Sequence, residues 1–257
     1  MAASSKSVLV LHGYAQNATI FSKRLGALRK ACGKDVDFFF LDGPLVLQPA
    51  DMPGDPKELG SEASTNTDDP ALTPRGWYKA GQGVKSALAI EESLALVKKT
   101  LKEKHYDGIF GFSQGACMAA FIAALLEHPE RYPDWVEDGK PIHPPFQFCI
   151  AAAGFKINDP LAPVIFGDSY STPTLHIIGA TDIIVTEERA QSLLDVSANK
   201  RVERHDGGHF IPSKANWRKF LAAYLKDPLG NVPPPAPSST APTPSASGTA
   251  TPTTGAD

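Results

Sequence analysis

At the centre of the chain a serine stands between glycines, Gly111-Phe112-Ser113-Gln114-Gly115, after the apolar run Gly108-Ile109-Phe110 and before Ala116-Cys117-Met118-Ala119-Ala120. The first run is short and apolar, as a buried strand would be, and the last is rich in helix formers. The pentapeptide therefore has to turn a strand sharply into a helix. Glycines flanking the turn let neighbouring backbone pack closely, and the turn lifts the serine hydroxyl above the edge of the sheet.

The rest of the chain alternates in the same sense. Residues 8–11 read as a strand, and Phe21, Leu25, Leu28 and Ala31 follow at helical spacing. Residues 36–41, with Phe38-Phe39-Phe40, read as a second strand. Val84, Leu88, Ala95 and Leu101 predict an amphipathic helix ahead of the serine turn, and further strands fall at 146–152, 175–178 and 201–204. A helix led by Thr186 separates the last two strands, and a final helix carries Trp217, Phe220, Leu221 and Tyr224. Strands alternating with helices predict a mostly parallel central sheet with helices on both faces. With the serine on its turn, this is the α/β class and specifically an α/β-hydrolase fold.

A length of 257 residues with 42% hydrophobic content suits one globular domain, placed at 1–227. Two segments stand apart. Residues 42–76 are rich in Pro, Gly, Asp, Ser and Thr and are too long for an ordinary connection, so we expect an irregular, cap-like insertion at the mouth of the site. Residues 228–257 contain eight prolines among Ser, Thr, Ala and Gly, and predict a disordered tail. A net charge of −3 with scattered Lys and Arg gives nucleic acid no electrostatic footprint. The N-terminal residues are polar and lack the long apolar stretch of a signal peptide or membrane span, so a cytoplasmic location is expected. Cys32, Cys117 and Cys149 match neither a disulfide framework nor a zinc site and are expected as reduced core residues.

Ser113 needs a base, an acid and an oxyanion hole. In this fold the acid follows a later strand and the histidine follows the last one. Of the seven histidines, His205 and His209 lie late enough, and His209 sits in a glycine-hinged loop, Asp206-Gly207-Gly208-His209-Phe210. His209 is the expected general base, with His205 in a supporting role. Their spacing of four would suit two metal ligands on a helix, but the intervening glycines make this a loop, so no metal or other cofactor is expected. Asp182, in Gly179-Ala180-Thr181-Asp182, follows a strand at its carboxyl edge and is the expected acid. Asp206 is nearer to His209 in sequence but shares its short loop, which would aim it poorly. The oxyanion donors are expected to be the backbone N–H groups of Gln114 and Tyr14, the latter in Leu11-His12-Gly13-Tyr14-Ala15-Gln16-Asn17. Trp77, Tyr78, Phe155 and Phe210 are candidates to line an apolar acyl pocket, or else to be core.

Taken together, the His12-Gly13-Tyr14-Ala15-Gln16-Asn17, Gly111–Ala116, Gly179–Asp182 and Gly208-His209-Phe210-Ile211-Pro212 segments resemble the FSH family of serine hydrolases, which includes the LovG-type thioesterases of fungal polyketide pathways. The match covers about residues 6–226. It implies hydrolysis of a carboxylic ester or thioester, small or carrier-borne, through Ser113, Asp182 and His209, without metal or nucleotide. It also places Phe155 toward the substrate channel. Family members often carry Cys at the position of Ala15, which leaves a backbone oxyanion role intact. Acyl-protein thioesterases and related carboxylesterases share the Gly-Phe-Ser-Gln-Gly turn and form the alternative, as does a hydrolase fold used only to bind a ligand.

Overall fold

Six strands pair in parallel: β1 (Lys6–Leu11), β2 (Val36–Leu41), β3 (Gly108–Phe112), β4 (Phe148–Ala152), β5 (Thr174–Gly179) and β6 (Lys200–His205), in the spatial order β6-β5-β4-β3-β1-β2. The computed structural model describes residues 5–52, 63–65, 69–81 and 86–237. The inner strands are apolar on both faces because the sheet is covered on both. Leu9, Leu11, Ile109, Cys149 and Ala151 point to one core, and Val8, Val10, Phe110, Phe112, Phe148 and Ile150 to the other.

The helices α1 (Ala18–Arg24), α2 (Gly26–Cys32), α3 (Ile90–Glu103), α4 (Gln114–Glu127), α5 (Leu161–Phe166), α6 (Glu187–Leu194) and α7 (Ala215–Lys226) divide between the faces. α3, α4 and α5 pack on the first face, and α1, α2 and α7 on the second. α4 is buried from Gln114 through Leu126, which explains its alanine-rich sequence: small side chains let the helix lie directly against the sheet. Each fully buried leucine or phenylalanine along it contributes about 2 kcal/mol.

Local readings of the sequence needed correction where one long pattern hid two elements. The first helix breaks at Leu25, where α1 ends and α2 begins. Of the stripe expected to run through Val84, Leu88, Ala95 and Leu101, Leu101 is buried as expected but Leu88 and Ala95 are not. α3 starts at Ile90 after a left-handed Ala89, and its buried face is Ile90, Leu94, Val97 and Leu101. Leu88 lies instead in a short antiparallel ladder opposite Lys79 and is half exposed, while Val84 lies outside the described residues. The larger side chains set the phase, and Ala95 faces outward at little cost.

Within the 42–76 insertion, Leu45–Val46 pairs antiparallel with Arg75–Gly76, and Leu45 and Leu47 pack with Ala15, Tyr14 and Met52. The Tyr14 hydroxyl donates to the Asp51 carbonyl at 2.7 Å. The segment is thus tied to the loop after β1 by its ends, and Leu59 lies outside the described residues.

The first ten residues of the expected tail also make contacts. Arg201 donates to the Val232 carbonyl at 2.7 Å, Asn216 donates to the Ala236 carbonyl at 2.5 Å, and Val232 packs against the core under α7. Residues 238–257 lie outside the described residues. Deleting 238–257 should leave the melting temperature unchanged. Deleting 228–257 should remove one half-buried valine, one charged hydrogen bond and one exposed neutral one, about 1–2 kcal/mol, lowering Tm by roughly 2–6 °C. Equal Tm values for the two truncations in a thermal melt would contradict this.

Candidate active site

Ser113 joins β3 to α4 with φ 53° and ψ −118°, a conformation disfavoured for any residue with a side chain. The backbone holds it there. Its N–H donates to the Ala152 carbonyl at 2.8 Å, and its carbonyl accepts from Ala116 at 2.9 Å and Cys117 at 3.0 Å. The flanking glycines are required by contact: a Cβ on Gly111 would lie 2.1 Å from the Gly115 carbonyl oxygen, and one on Gly115 would lie 2.3 Å from that of Leu11. Ala15 and Ala153, on the loops after β1 and β4, are also left-handed, so backbone strain gathers around this end of the sheet.

His209 and Asp182 arrive from the loops after β6 and β5. Those loops are stitched together, with Ala180 N–H donating to the His205 carbonyl at 2.8 Å and Thr181 N–H to the Gly207 carbonyl at 3.1 Å. Across them His209 Nδ1 lies 2.7 Å from Asp182 Oδ2, and His209 Nε2 lies 3.0 Å from Ser113 Oγ. The other carboxylate oxygen, Oδ1, accepts from Ile184 N–H at 2.9 Å and Val185 N–H at 2.8 Å. Burial pushes the Asp182 carboxyl pKa up, but the His209 bond and the two amides outweigh it and hold the group below the usual carboxylate value. An ionised Asp182 accepts the Nδ1 proton and leaves Nε2 able to accept from Ser113.

The competing residues lie elsewhere. Asp206 is exposed and faces Lys214 at 3.5 Å. His205 is buried against Phe210 and Trp217, where its Nδ1 accepts from Gly207 N–H at 3.2 Å and so holds the turn that carries His209.

Tyr14 lies on the loop after β1 and Gln114 opens α4 directly after Ser113. Gly13 N–H donates to Gln16 Oε1 at 3.1 Å, closing the loop that carries Tyr14. A clamp that the sequence did not disclose fixes this loop to the serine turn. The Gln114 side chain accepts from Trp77 N–H at 2.9 Å and donates to the Tyr78 carbonyl at 2.7 Å, while the Trp77 indole donates to the His12 carbonyl at 2.8 Å. Trp77 is consequently wholly buried, the core alternative of the two readings held open for it. Tyr78 is buried too, its hydroxyl on Cys117 Sγ at 3.3 Å. Of the pocket candidates, Phe210 is exposed and borders a groove with Phe21, Leu25, Phe112 and Ile211 beside His209. Phe155 is half-buried under the Arg189 guanidinium.

His12 is the other hidden part. Its Nδ1–H donates to the Gly13 carbonyl and its Nε2 accepts from Gly43 N–H, both at 2.8 Å, so the ring ties the Tyr14 loop to the 42–76 segment only when neutral. Burial pushes it down to about 4, and pushes His176, on β5, down to about 3. Both folded values lie below the unfolded value near 6.5, so the unfolded chain binds more protons on acidification. Stability is therefore full above about pH 6.5 and is lost as pH falls toward 4, by about 3 kcal/mol for His12 alone. A Tm that stayed flat from pH 6.5 to 4 would contradict the neutral assignment.

A parallel sheet carrying a strained serine after its central strand, with the other two side chains on later strand ends, defines an α/β-hydrolase. The chain belongs to the serine hydrolase family FSH1, whose model matches residues 1–221. It is 32% identical over 243 residues to the esterase OVCA2 of Danio rerio, covering 88% of this chain and 99% of that protein. It is 30% identical over 225 residues to a Schizosaccharomyces pombe protein named dihydrofolate reductase, covering 85% of this chain but only 46% of that longer protein. The fold matches the crystal structure of Zea mays acyl-protein thioesterase 2 with TM-score 0.56 at 20% identity, over 87% of this chain and 96% of that one. Among the described residues no helix is long and apolar enough to cross a membrane.

Proposed function

We propose that this protein hydrolyses carboxylic esters or thioesters through a covalent acyl-enzyme on Ser113, with His209 as general base and acid and Asp182 as its orienting carboxylate. The unbroken hydrogen-bonded line from Ser113 Oγ through His209 to Asp182 carries this reading. Membership of a serine hydrolase family and the esterase names of relatives support it.

In this scheme His209 Nε2 takes the hydroxyl proton as Ser113 Oγ attacks the acyl carbonyl. The tetrahedral oxyanion is held by the N–H groups of Tyr14 and Gln114, the latter at the start of α4 where the helix dipole favours negative charge. His209 passes the proton to the leaving alcohol or thiol, and then deprotonates the water that releases the acid. Nothing in these steps calls for a metal or an organic cofactor. The groove bordered by Phe210 and Ile211, and also by Arg24 and Ser213, offers a partly apolar surface for an acyl chain, free or borne by a carrier protein. Whether the leaving group is an alcohol or a thiol is decided by comparing kcat/KM for paired oxygen and thioesters of one acyl chain.

A fluorophosphonate probe tests the central claim. It should label the wild-type chain at a single serine, and Ser113→Ala should abolish the label. Unlabelled wild-type protein would overturn the assignment in favour of a binding role.

A further inference from the structure

The carboxylate of Asp182 is held by more than its two amides. The peptide between Ile184 and Val185 donates its N–H to Asp182 Oδ1 at 2.8 Å, and the carbonyl of that same peptide accepts from Arg189 Nη1 at 2.9 Å. The guanidinium carbon lies over Phe155, 4.0 Å from the ring centroid. Arg189 thus has a defined place: its charge sits over an aromatic ring and one N–H is committed to one carbonyl. The residue is also poorly placed for its own helix. It stands in the first turn of α6, whose N-cap Thr186 accepts from Arg189 N–H at 3.4 Å, and a cation there opposes the helix dipole.

Resting on the hydrolase reading above, we propose that Arg189 is a positioning residue for the Ser113–His209–Asp182 line, acting through the 184–185 peptide. A charged donor on a peptide carbonyl polarises that peptide, and its N–H becomes a stronger donor by roughly 10–30%. The Val185 N–H then grips Oδ1 more firmly, which fixes the carboxylate plane and leaves Oδ2 aimed at His209 Nδ1. Phe155 serves the same end by keeping the guanidinium from swinging into solvent. The sequence gives no hint of this, since Arg189 lies seven residues from Asp182 on an exposed helix face.

The experiment compares Arg189→Met, which keeps much of the side-chain bulk without donor or charge, with Arg189→Lys and Arg189→Gln. The readouts are the rate of fluorophosphonate labelling, kcat and KM for p-nitrophenyl acetate, Tm, and the downfield proton resonance of the His209–Asp182 hydrogen bond. Arg189→Met should slow labelling and lower kcat together by about three- to tenfold with KM nearly unchanged. The downfield resonance should move upfield. Arg189→Lys, a charged donor, should recover most of the rate, and Arg189→Gln, a neutral donor, less. Should the Met variant fail to fold, the order wild type, Lys, Gln carries the test alone. A labelling rate in Arg189→Met equal to wild type, or a change confined to KM or to Tm, would overturn the proposal while leaving the hydrolase reading in place. Wild-type protein that the probe does not label would overturn both.

Discussion

Ser113→Ala is expected to lower kcat for p-nitrophenyl ester hydrolysis by about 10⁴- to 10⁶-fold while leaving Tm and secondary structure unchanged. The size follows from what the substitution removes, the one atom that would bond to the acyl carbon. The preserved fold follows from what holds the turn, namely the backbone bonds to Ala152, Ala116 and Cys117 and the close approach of Gly111 to Gly115, none of which uses the hydroxyl. Alanine inherits the same positive φ and gives up only the 3.0 Å contact to His209. A purified Ser113→Ala variant with near wild-type turnover would move the chemistry to another residue.

Asp182→Asn should cost about 10⁴-fold in kcat, the scale set by the same change in other serine hydrolases. An amide in place of the carboxylate can present its NH₂ to His209 Nδ1, which then has to accept. The ring would carry its proton on Nε2 and face Ser113 as a donor, unable to take the hydroxyl proton. The Ile184 and Val185 amides favour an acceptor at Oδ1, which steers the NH₂ to the Oδ2 side and deepens the defect. Asp206→Asn, on an exposed group whose nearest cation is Lys214, is the control and should be silent. Loss of activity in Asp206→Asn with Asp182→Asn unaffected would exchange their roles. His209→Ala should match Asp182→Asn or exceed it, whereas His205→Ala should be milder, because His205 only supports the turn.

The parallel architecture and the positions of Ser113, Asp182 and His209 on their loops were legible because each depends on local order: a strand, then glycine, then a polar residue at the strand's carboxyl edge. The clamps were not. In the sequence Gln114 offers a backbone N–H but no sign of a side-chain role, Trp77 is an aromatic for pocket or core alike, and His12 is a polar residue beside a glycine. Their roles depend on partners 31 to 65 positions away that no periodicity connects. Trp77 stayed open between pocket and core for a physical reason, since a large apolar body with one N–H suits a lipid pocket and a buried joint equally well. The phase of α3 was lost because Leu88 continues a helical spacing although Ala89 turns left-handed before the helix begins.

Ser113, Asp182 and His209 hang from three different strands of one sheet, and the sheet orders those strands with β4 between the first and the second. Ser113 and His209 are 96 positions apart in the chain, and Asp182 and His209 are 27 apart. No stretch of chain shorter than the span from Ser113 to His209 holds all three residues. On the proposed mechanism, reactivity at Ser113 needs β3, β5 and β6 in place together, so labelling by the fluorophosphonate probe would report on assembly of that half of the sheet. On the same reading, a chain cut before residue 209 would carry Ser113 without its proposed base and should resist the probe.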